Sequence, residues 1–146
     1  MLALIQRVTE AAVHVDGACI GKIGGGLLAL VAVEPDDDDP RILRMAERLI
    51  AYRVFADAAG KMNLSLADTG GGLLLVPQFT LAADTGRGLR PSFSAAAPPE
   101  QGRTGFETLL AACRVRYAKV ESGQFGAHMM VSLCNDGPVT FLLTSA

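Results

Sequence analysis

Hydrophobic and polar residues alternate along much of the chain in the manner of β-strands. The alternation predicts strands at residues 2–8, 11–15, 18–23, 27–33, 52–56, 73–76, 125–134 and 139–143. Asp16-Gly17 is typical of a hairpin turn between two of them, and Asn135 to Pro138 has turn composition as well. The continuous apolar run at 27–33 is typical of a strand that is buried on both faces.

Two segments have helical periodicity instead. The first begins at Asp39-Pro40, a capping carboxylate followed by proline at the first helical position. Its apolar face, at the spacing i, i+3, i+4, i+7 and i+8, consists of Ile42, Met45, Ala46, Leu49 and Ile50. A second helix is predicted from Pro99 or Thr104 to about Lys119. We therefore expect one α+β domain over 1–146, with a mixed or mainly antiparallel sheet and two main helices.

The composition favours a folded protein without prosthetic groups. Of 146 residues, 50% are hydrophobic and 19% are charged, which is too apolar for a disordered chain. Three cysteines and two histidines have no metal-ligand spacing, so we expect no disulfide framework, metal or cofactor. No apolar run approaches the roughly 20 residues of a membrane span. The apolar run at residues 1–5 is too short for the hydrophobic region of a signal peptide. The sequence thus predicts a soluble, cytoplasmic protein with no membrane partner.

The charge pattern does not indicate a nucleic-acid-binding protein. The net charge is −2, although Asp36 to Asp39 supply four negative charges in one run. The candidates for a local basic face are Arg87, Arg90, Arg103, Arg114, Arg116 and Lys119. Composition alone favours the interpretation that these residues are ordinary solvated surface charges. We expect no DNA partner.

Standard catalytic sets are hard to assemble from these residues. A nucleophile and base could pair only through His14 or His128, and both positions favour a surface or packing role. Each of the two Gly-Gly-Gly runs precedes a strand, which favours a turn over a phosphate loop. Two segments remain, 77–81 and 135–140. From the residues alone, polar Gln78 and Thr80 at a strand end could form a site, but a strand end with turn residues is favoured for the first segment, and the second has the composition of a plain hairpin turn.

These two segments resemble motifs of the bacterial-type D-aminoacyl-tRNA deacylase family. They are Pro77-Gln78-Phe79-Thr80-Leu81 and Asn135-Asp136-Gly137-Pro138-Val139-Thr140. Further matches, in the family's order, are Ala3 to Val8, Gly60 to Leu64 and Arg90 to Phe93. The resemblance implies a homodimer that binds aminoacyl-tRNA, with active sites at the subunit interface and a sheet that is barrel-like in the dimer. It also implies a cis Gly137-Pro138 bond that reaches into the partner's pocket.

The implied activity is chiral proofreading in translation. The family hydrolyses the ester of D-aminoacyl-tRNA and of mischarged glycyl-tRNA(Ala). Carbonyl groups of Gly137 and Pro138 would crowd an L side chain, a specificity based on exclusion. By resemblance, Arg7 holds this dipeptide in place. Phe125 and Met129 match pocket-lining positions, for which an ordinary core role is the alternative.

The implied chemistry uses little side-chain catalysis. Backbone N–H groups near Phe79 and Thr80 would polarise the ester carbonyl, and Gln78 would order their loop. The 2′-hydroxyl of the terminal adenosine would assist the attacking water. Thr80 as a nucleophile is the less favoured alternative, because no base is evident to activate it.

One departure from the family motif concerns Pro77, where the family usually has serine. A related group of deacylases with relaxed chirality has Pro-Gln here, but Phe79 follows the D-specific pattern. We therefore expect D-specific activity. Three other functions stay open: a non-catalytic RNA- or protein-binding domain of the same fold, a hydrolase of other D-amino acid esters, and a structural oligomer subunit.

Overall fold

A six-stranded mixed sheet organises the computed structural model, which describes residues 1–145. Its strands are β1 (Leu2–Val15), β2 (Ala18–Ile23), β3 (Gly26–Ala32), β6 (Gly72–Pro77), β7 (Val120–Ser122) and β8 (Met130–Thr144). A separate two-stranded sheet joins β4 (Phe55–Ala56) to β5 (Met62–Leu64). The main sheet has the order β2-β1-β3-β6-β7, and β8 pairs with the other side of β1. The predicted mixed sheet is confirmed: β3, β6 and β7 are parallel, and the other pairs are antiparallel.

Strand β1 gives the sheet its curvature. Residues 2–8 pair with β3, residues 11–15 pair with β2, and β8 follows the opposite edge along nearly the whole strand. The sequence predicts a break at Thr9-Glu10, which is wrong because hydrogen bonds to β8 continue past it. The long strand bends from one set of neighbours to the next, so the sheet curls into a nearly closed, barrel-like form.

The two predicted helices are confirmed, with small shifts at their ends. Helix α1 (Asp39–Ala51) is capped by Asp38, whose side chain accepts from Arg41 N. The sequence predicted Asp39 as the cap. Helix α3 (Pro99–Arg116) takes the earlier of the two predicted starts. A short helix α2 (Leu66–Thr69), with a capping box at its start, was not predicted. Within 1–145, no helix is long and apolar enough to cross a membrane.

Several strand predictions need correction. The turn predicted at 135–138 is wrong, since β8 runs through it and stays paired with β1 at Asn135 and Thr140. Extra residues between these two pairs are accommodated by register shifts, as in a bulge. The predicted strand at 125–134 begins only at Met130, and the one at 52–56 is limited to Phe55–Ala56. Strands β5 and β7 were missed, because they are short and depend on distant partners.

Alternate residues of β3 and β6 enter two different cores. Leu27, Ala29, Leu73 and Leu75 face a large cluster that includes α1 and α3. Leu28, Leu74 and Val76 face a smaller cluster inside the curl of the sheet, with Val8, Val13 and Ile23. The prediction that 27–33 is buried on both faces is therefore confirmed for most of its length. This central pair is the rigid support for a pocket at the carboxyl ends of the two strands.

The glycine triplets allow β3 and β6 to approach closely at their amino ends. A Cβ on Gly26 would lie 2.0 Å from the carbonyl oxygen of Gly72. A Cβ on Gly71 would lie 2.8 Å from the carbonyl oxygen of Gly25. No side chain fits there, so these glycines have a packing role and the phosphate-loop alternative is not needed.

Candidate active site

A pocket of about 440 Å³ opens at the carboxyl ends of β3 and β6. Its floor is formed by Val31, Val33 and Val76, and the start of α3 forms one side. Residues 125–131 form the other side, with Phe125 and Met129 among them. None of its fifteen lining residues is ionisable. The pocket is therefore an apolar cavity with a few polar groups at its edge, which is the usual form of a small-molecule site.

The segment after β6 brings main-chain donors to the edge of this pocket. Gln78 N donates to the carbonyl oxygen of Val31 at 2.7 Å, which ties the segment to β3. A 3₁₀ turn follows at Phe79–Ala82. Its first hydrogen bond runs from Leu81 N to the carbonyl oxygen of Gln78, at 3.2 Å. The amides of Phe79 and Thr80 precede that bond, so the turn itself offers them no acceptor.

The side chains of this segment have distinct environments. The Gln78 side-chain amide donates to the hydroxyl of Thr80, which links the residue before the turn to the second residue of the turn. Gln78 and Phe79 line the pocket, whereas Thr80 is exposed and does not. The Phe79 ring is 59% exposed and packs at 5.2 Å, between ring centroids, against Phe93 of the long loop before α3.

Proline fits at position 77 because of the hydrogen-bond pattern of β6. Leu73 N donates toward β7, to the carbonyl oxygen of Lys119, and Gln78 N donates toward β3. Odd-numbered amides of β6 thus point to β7, which ends at Ser122. Pro77 lies past Leu75, the last position paired with β7, and its N–H side faces away from Val31 of β3, so its missing N–H breaks no hydrogen bond in the sheet.

The wall opposite Gln78 is held by contacts of Phe125 and Met129. The guanidinium of Arg103, on α3, lies 4.9 Å from the centroid of the Phe125 ring. The sulfur of Met129 accepts from Gln124 N at 3.4 Å. Phe125 packs against the large core and Met129 against the small one, so each also has the core role that was the alternative to pocket lining.

A second group of predicted residues lies around Gly137-Pro138, whose peptide bond is cis. Arg7 Nε donates to the carbonyl oxygen of Asp136 at 3.1 Å, directly before this dipeptide. Arg7 Nη1 donates to the carbonyl oxygen of Val54 at 2.8 Å. The Arg7 side chain is only 16% exposed, whereas Gly137 and Pro138 are both exposed.

Asn135 and Thr140 close this segment and were not singled out by the sequence analysis. Asn135 Oδ1 accepts from Val139 N at 3.0 Å, and Asn135 Nδ2 donates to Thr140 Oγ1 at 3.0 Å. Gln6 Nε2 donates to the same hydroxyl at 3.2 Å. The signal available in the sequence was their presence at both ends of one motif.

The two groups lie at opposite ends of the sheet. Arg7 pairs with Leu27 at the start of β3, while the pocket lining includes Val31 near the other end of β3 and Val33 just past it. In an extended strand, the four steps from Leu27 to Val31 and the six steps to Val33 span roughly 13 and roughly 20 Å. The chain thus brings together Gln78, Phe79, Phe125 and Met129, and separately Arg7, Gly137 and Pro138.

Other catalytic chemistry finds little support in the described residues. Burial raises the pKa of the Cys113 thiol to about 12, which keeps it protonated and unreactive. His128 is exposed in the loop beside the pocket and does not line it. Within 1–145, no group of three or more His, Cys, Asp and Glu is arranged to hold a metal.

Comparison with known proteins gives matches over nearly the whole chain. The family model described as D-Tyr-tRNA(Tyr) deacylase matches residues 4–144. The chain belongs to the D-Tyr-tRNA(Tyr) deacylase family. The D-aminoacyl-tRNA deacylase of Stenotrophomonas maltophilia (strain K279a) is 67% identical over 144 residues, 98% of this chain and 99% of that protein. That of Azotobacter vinelandii is 67% identical over 143 residues, with the same coverage.

Solved structures of this deacylase fold agree closely with the chain. A c-Myc DNA unwinding element binding protein, 37% identical, covers 100% of this chain and 99% of its own, with a TM-score of 0.95. A probable eukaryotic D-amino acid tRNA deacylase, 16% identical, has a TM-score of 0.87 with 97% of each chain covered. The second likeness concerns the fold alone. The predicted family and the predicted fold class are both confirmed.

Proposed function

We propose that the chain hydrolyses the ester bond of D-aminoacyl-tRNA, releasing the free D-amino acid and tRNA. The observation that carries this proposal is the 3₁₀ turn beside an apolar pocket, since its first two amides, Phe79 and Thr80, have no acceptor within the turn and Phe79 lines the pocket. The chain's relatives at 64–67% identity are D-aminoacyl-tRNA deacylases, which supports the same chemistry here. Such a substrate is used in translation, so we place the proposed activity in the cytoplasm.

The amides of Phe79 and Thr80 act on the ester carbonyl. Attack on an ester develops negative charge on the carbonyl oxygen, and preorganised N–H donors stabilise that charge. The bonds from Gln78 N to β3 and from the Gln78 side chain to Thr80 hold the turn in one conformation. Gln78 therefore positions the donors and does not react. The apolar walls raise the strength of these hydrogen bonds because they exclude water.

Water, rather than Thr80, is the proposed nucleophile. The Thr80 hydroxyl accepts from the Gln78 amide, and a carboxamide cannot take up its proton. Thr80 is also exposed outside the pocket lining. The 2′-hydroxyl of the substrate's terminal adenosine lies next to the ester in any aminoacyl-tRNA, so it is available to orient the water. The Thr80 alternative would need a base that this surrounding does not supply.

Gly137 and Pro138 select the chirality of the substrate by exclusion. Their carbonyl groups occupy the direction in which an L side chain projects, so an L residue meets a clash and unpaired acceptors. A D side chain points elsewhere, and glycine has none to reject, so glycyl-tRNA(Ala) is also cleaved. The hydrogen bonds of Arg7, Asn135 and Thr140 support this role because they hold the segment rigid.

The filter acts on the pocket of a partner subunit in a homodimer. In one chain, Arg7 and the Gly137 segment that it holds lie beside Leu27, roughly 13–20 Å along β3 from the pocket residues Val31 and Val33, which is too far for direct contact. Within 1–145, β8 pairs on one side only, with β1. Its exposed side chains include Met130 at 66% and Leu142 at 55%, and large exposed apolar residues favour association. A second copy of the chain supplies Gly137-Pro138 to each site.

The direct test compares three substrates of the purified protein: D-tyrosyl-tRNA, L-tyrosyl-tRNA and glycyl-tRNA(Ala). We expect the D and glycyl esters to be cleaved and the L ester to be spared. Pro138→Ala should cleave L-tyrosyl-tRNA at least about tenfold faster than the parent, because the exclusion is weakened. Pro40→Ala, at the exposed start of α1, is the matched control and should leave selectivity unchanged. No cleavage of any ester would favour a non-catalytic binding domain instead.

A further inference from the structure

The pocket lacks any charge of its own, although its proposed substrate is a polyanion. Its fifteen lining residues are all uncharged. Arg103 is a cation in contact with this lining, since its guanidinium lies over the ring of Phe125. Its Nη2 also lies 3.6 Å from the position of a Cβ built on Gly126, a second lining residue.

The guanidinium of Arg103 is free to bind a further group. Arg103 is exposed on the first turns of α3. Glu100 and Glu107 lie three and four residues away on the same helix, the spacing at which ion pairs form. Within the described residues, neither these nor any other carboxylate comes within 4.0 Å of it. Stacking on Phe125 fixes one face of the guanidinium and leaves its N–H edge available.

We propose that Arg103 binds a backbone phosphate of the tRNA 3′ strand where it enters the pocket. The proposal rests on the proposed function, because it takes the terminal adenosine and its ester to occupy the pocket. The phosphates that precede this adenosine then lie outside, at the rim formed by Phe125 and Gly126. A planar guanidinium matches the geometry of a phosphate and donates two parallel hydrogen bonds to it. Arg103 is in this role a positioning residue for the substrate.

The test uses two substrates that share the same ester. D-tyrosyl-tRNA carries the 3′-strand phosphates, whereas 2′(3′)-O-D-tyrosyl-adenosine carries none. For Arg103→Gln, we expect KM for D-tyrosyl-tRNA to rise by about tenfold, with kcat within about twofold of the parent. Turnover of the adenosine ester should not change. The dependence of log(kcat/KM) on log[salt] should also lose about 0.7 from its slope, the value for one single-strand phosphate contact.

Two further variants separate this role from a structural one. Arg114→Gln removes an exposed arginine on the same helix, roughly 16 Å further along. It should leave KM and kcat unchanged for both substrates. Arg103→Lys keeps the charge, so its KM for D-tyrosyl-tRNA should lie between that of the parent and that of Arg103→Gln. Equal losses on both esters would show that Arg103 acts only by packing on Phe125, and no loss on either would also overturn the proposal. If the parent protein cleaves neither ester, the proposed function fails and the phosphate site fails with it.

Discussion

The two ends of the central sheet are built by opposite means. At the carboxyl ends of β3 and β6, apolar side chains surround a cavity, and its polar groups are the Gln78 side chain and main-chain amides. At the other end, the segment around Gly137 is exposed but held by side-chain hydrogen bonds from Arg7, Asn135 and Thr140. The first end has the form of a receptor for a ligand. The second has the form of a rigid projection that fits something outside its own chain.

This difference shows why neither end is sufficient by itself. A cavity with two amide donors can bind and polarise an ester, but these contacts do not distinguish a D from an L configuration at the adjacent α-carbon. A rigid projection can exclude a side chain but needs a surface to face. Because the pocket and the Gly137-Pro138 segment are separated within one chain, the proposed selectivity depends on formation of the homodimer.

Blocking the pocket should have the largest effect. Ala127 lines the cavity in the loop that carries Phe125 and Met129. Ala127→Trp fills the cavity, so we expect kcat/KM for D-tyrosyl-tRNA to fall by at least about 100-fold. Ala111→Trp, on the exposed face of α3, adds the same ring elsewhere and should retain activity. Unfolding temperatures of both variants show whether the fold is intact, and full activity of a folded Ala127→Trp protein would place the site elsewhere.

A mixed dimer should separate the two ends between subunits. One protomer carries Ala127→Trp and the other carries Pro138→Ala, with two affinity tags to isolate the mixed species. Its open pocket then faces the intact Gly137-Pro138 of the partner, so we expect D-tyrosyl-tRNA to be cleaved and L-tyrosyl-tRNA to be spared. The Pro138→Ala homodimer, in contrast, should cleave both. L-ester cleavage by the mixed dimer would mean that the segment serves its own chain.

Loss of Arg7 should affect the projection and leave the pocket intact. Arg7→Met removes the donors to the carbonyl oxygens of Asp136 and Val54. We expect the free energy of unfolding to fall by about 1–3 kcal/mol and the D-over-L preference to fall severalfold. D-ester kcat should stay near the parent value. Arg44→Met on the exposed face of α1 is the control, and an unchanged D-over-L ratio in Arg7→Met would contradict the bracing role.

The smallest effect is expected at Pro77. Pro77→Ser introduces the residue that the family motif usually has at this position. The substitution breaks no hydrogen bond of the sheet. Stability should change by less than about 1 kcal/mol, and D-ester turnover by no more than about twofold. Chemical denaturation and single-turnover kinetics measure the two quantities. A large gain in rate or in L-ester rejection would show that proline at this position limits the site.

The sequence predicted the parts of the fold that local pattern determines. The apolar spacing from Ile42 to Ile50 gave α1, and Pro98-Pro99 marked the true start of α3. Strand β7 could not be found, because three residues become a strand only through parallel pairing with β6. The turn at 135–138 was wrong for a similar reason: its composition favours a turn, but pairing with β1 on both sides keeps it in β8.

For the site, resemblance identified residues but could not locate them relative to one another. Gln78, Phe79, Phe125 and Met129 come together in one pocket through contacts between distant segments. The sequence did not reveal that Gly137 lies at the other end of the sheet, since this follows from the antiparallel register of β1 with β3 and β8. The roles of these residues stay predictions.

The uncharged lining of the pocket has a consequence for how acidity affects the reaction. A wall without ionisable side chains does not titrate, so its electrostatic potential stays constant as the solution becomes more acidic or more alkaline. Any bell-shaped rate profile must then arise from the substrate, whose α-amino group gains or loses a proton beside the ester, or from groups outside the cavity. The protein would leave acid–base sensing to the molecule that it cleaves.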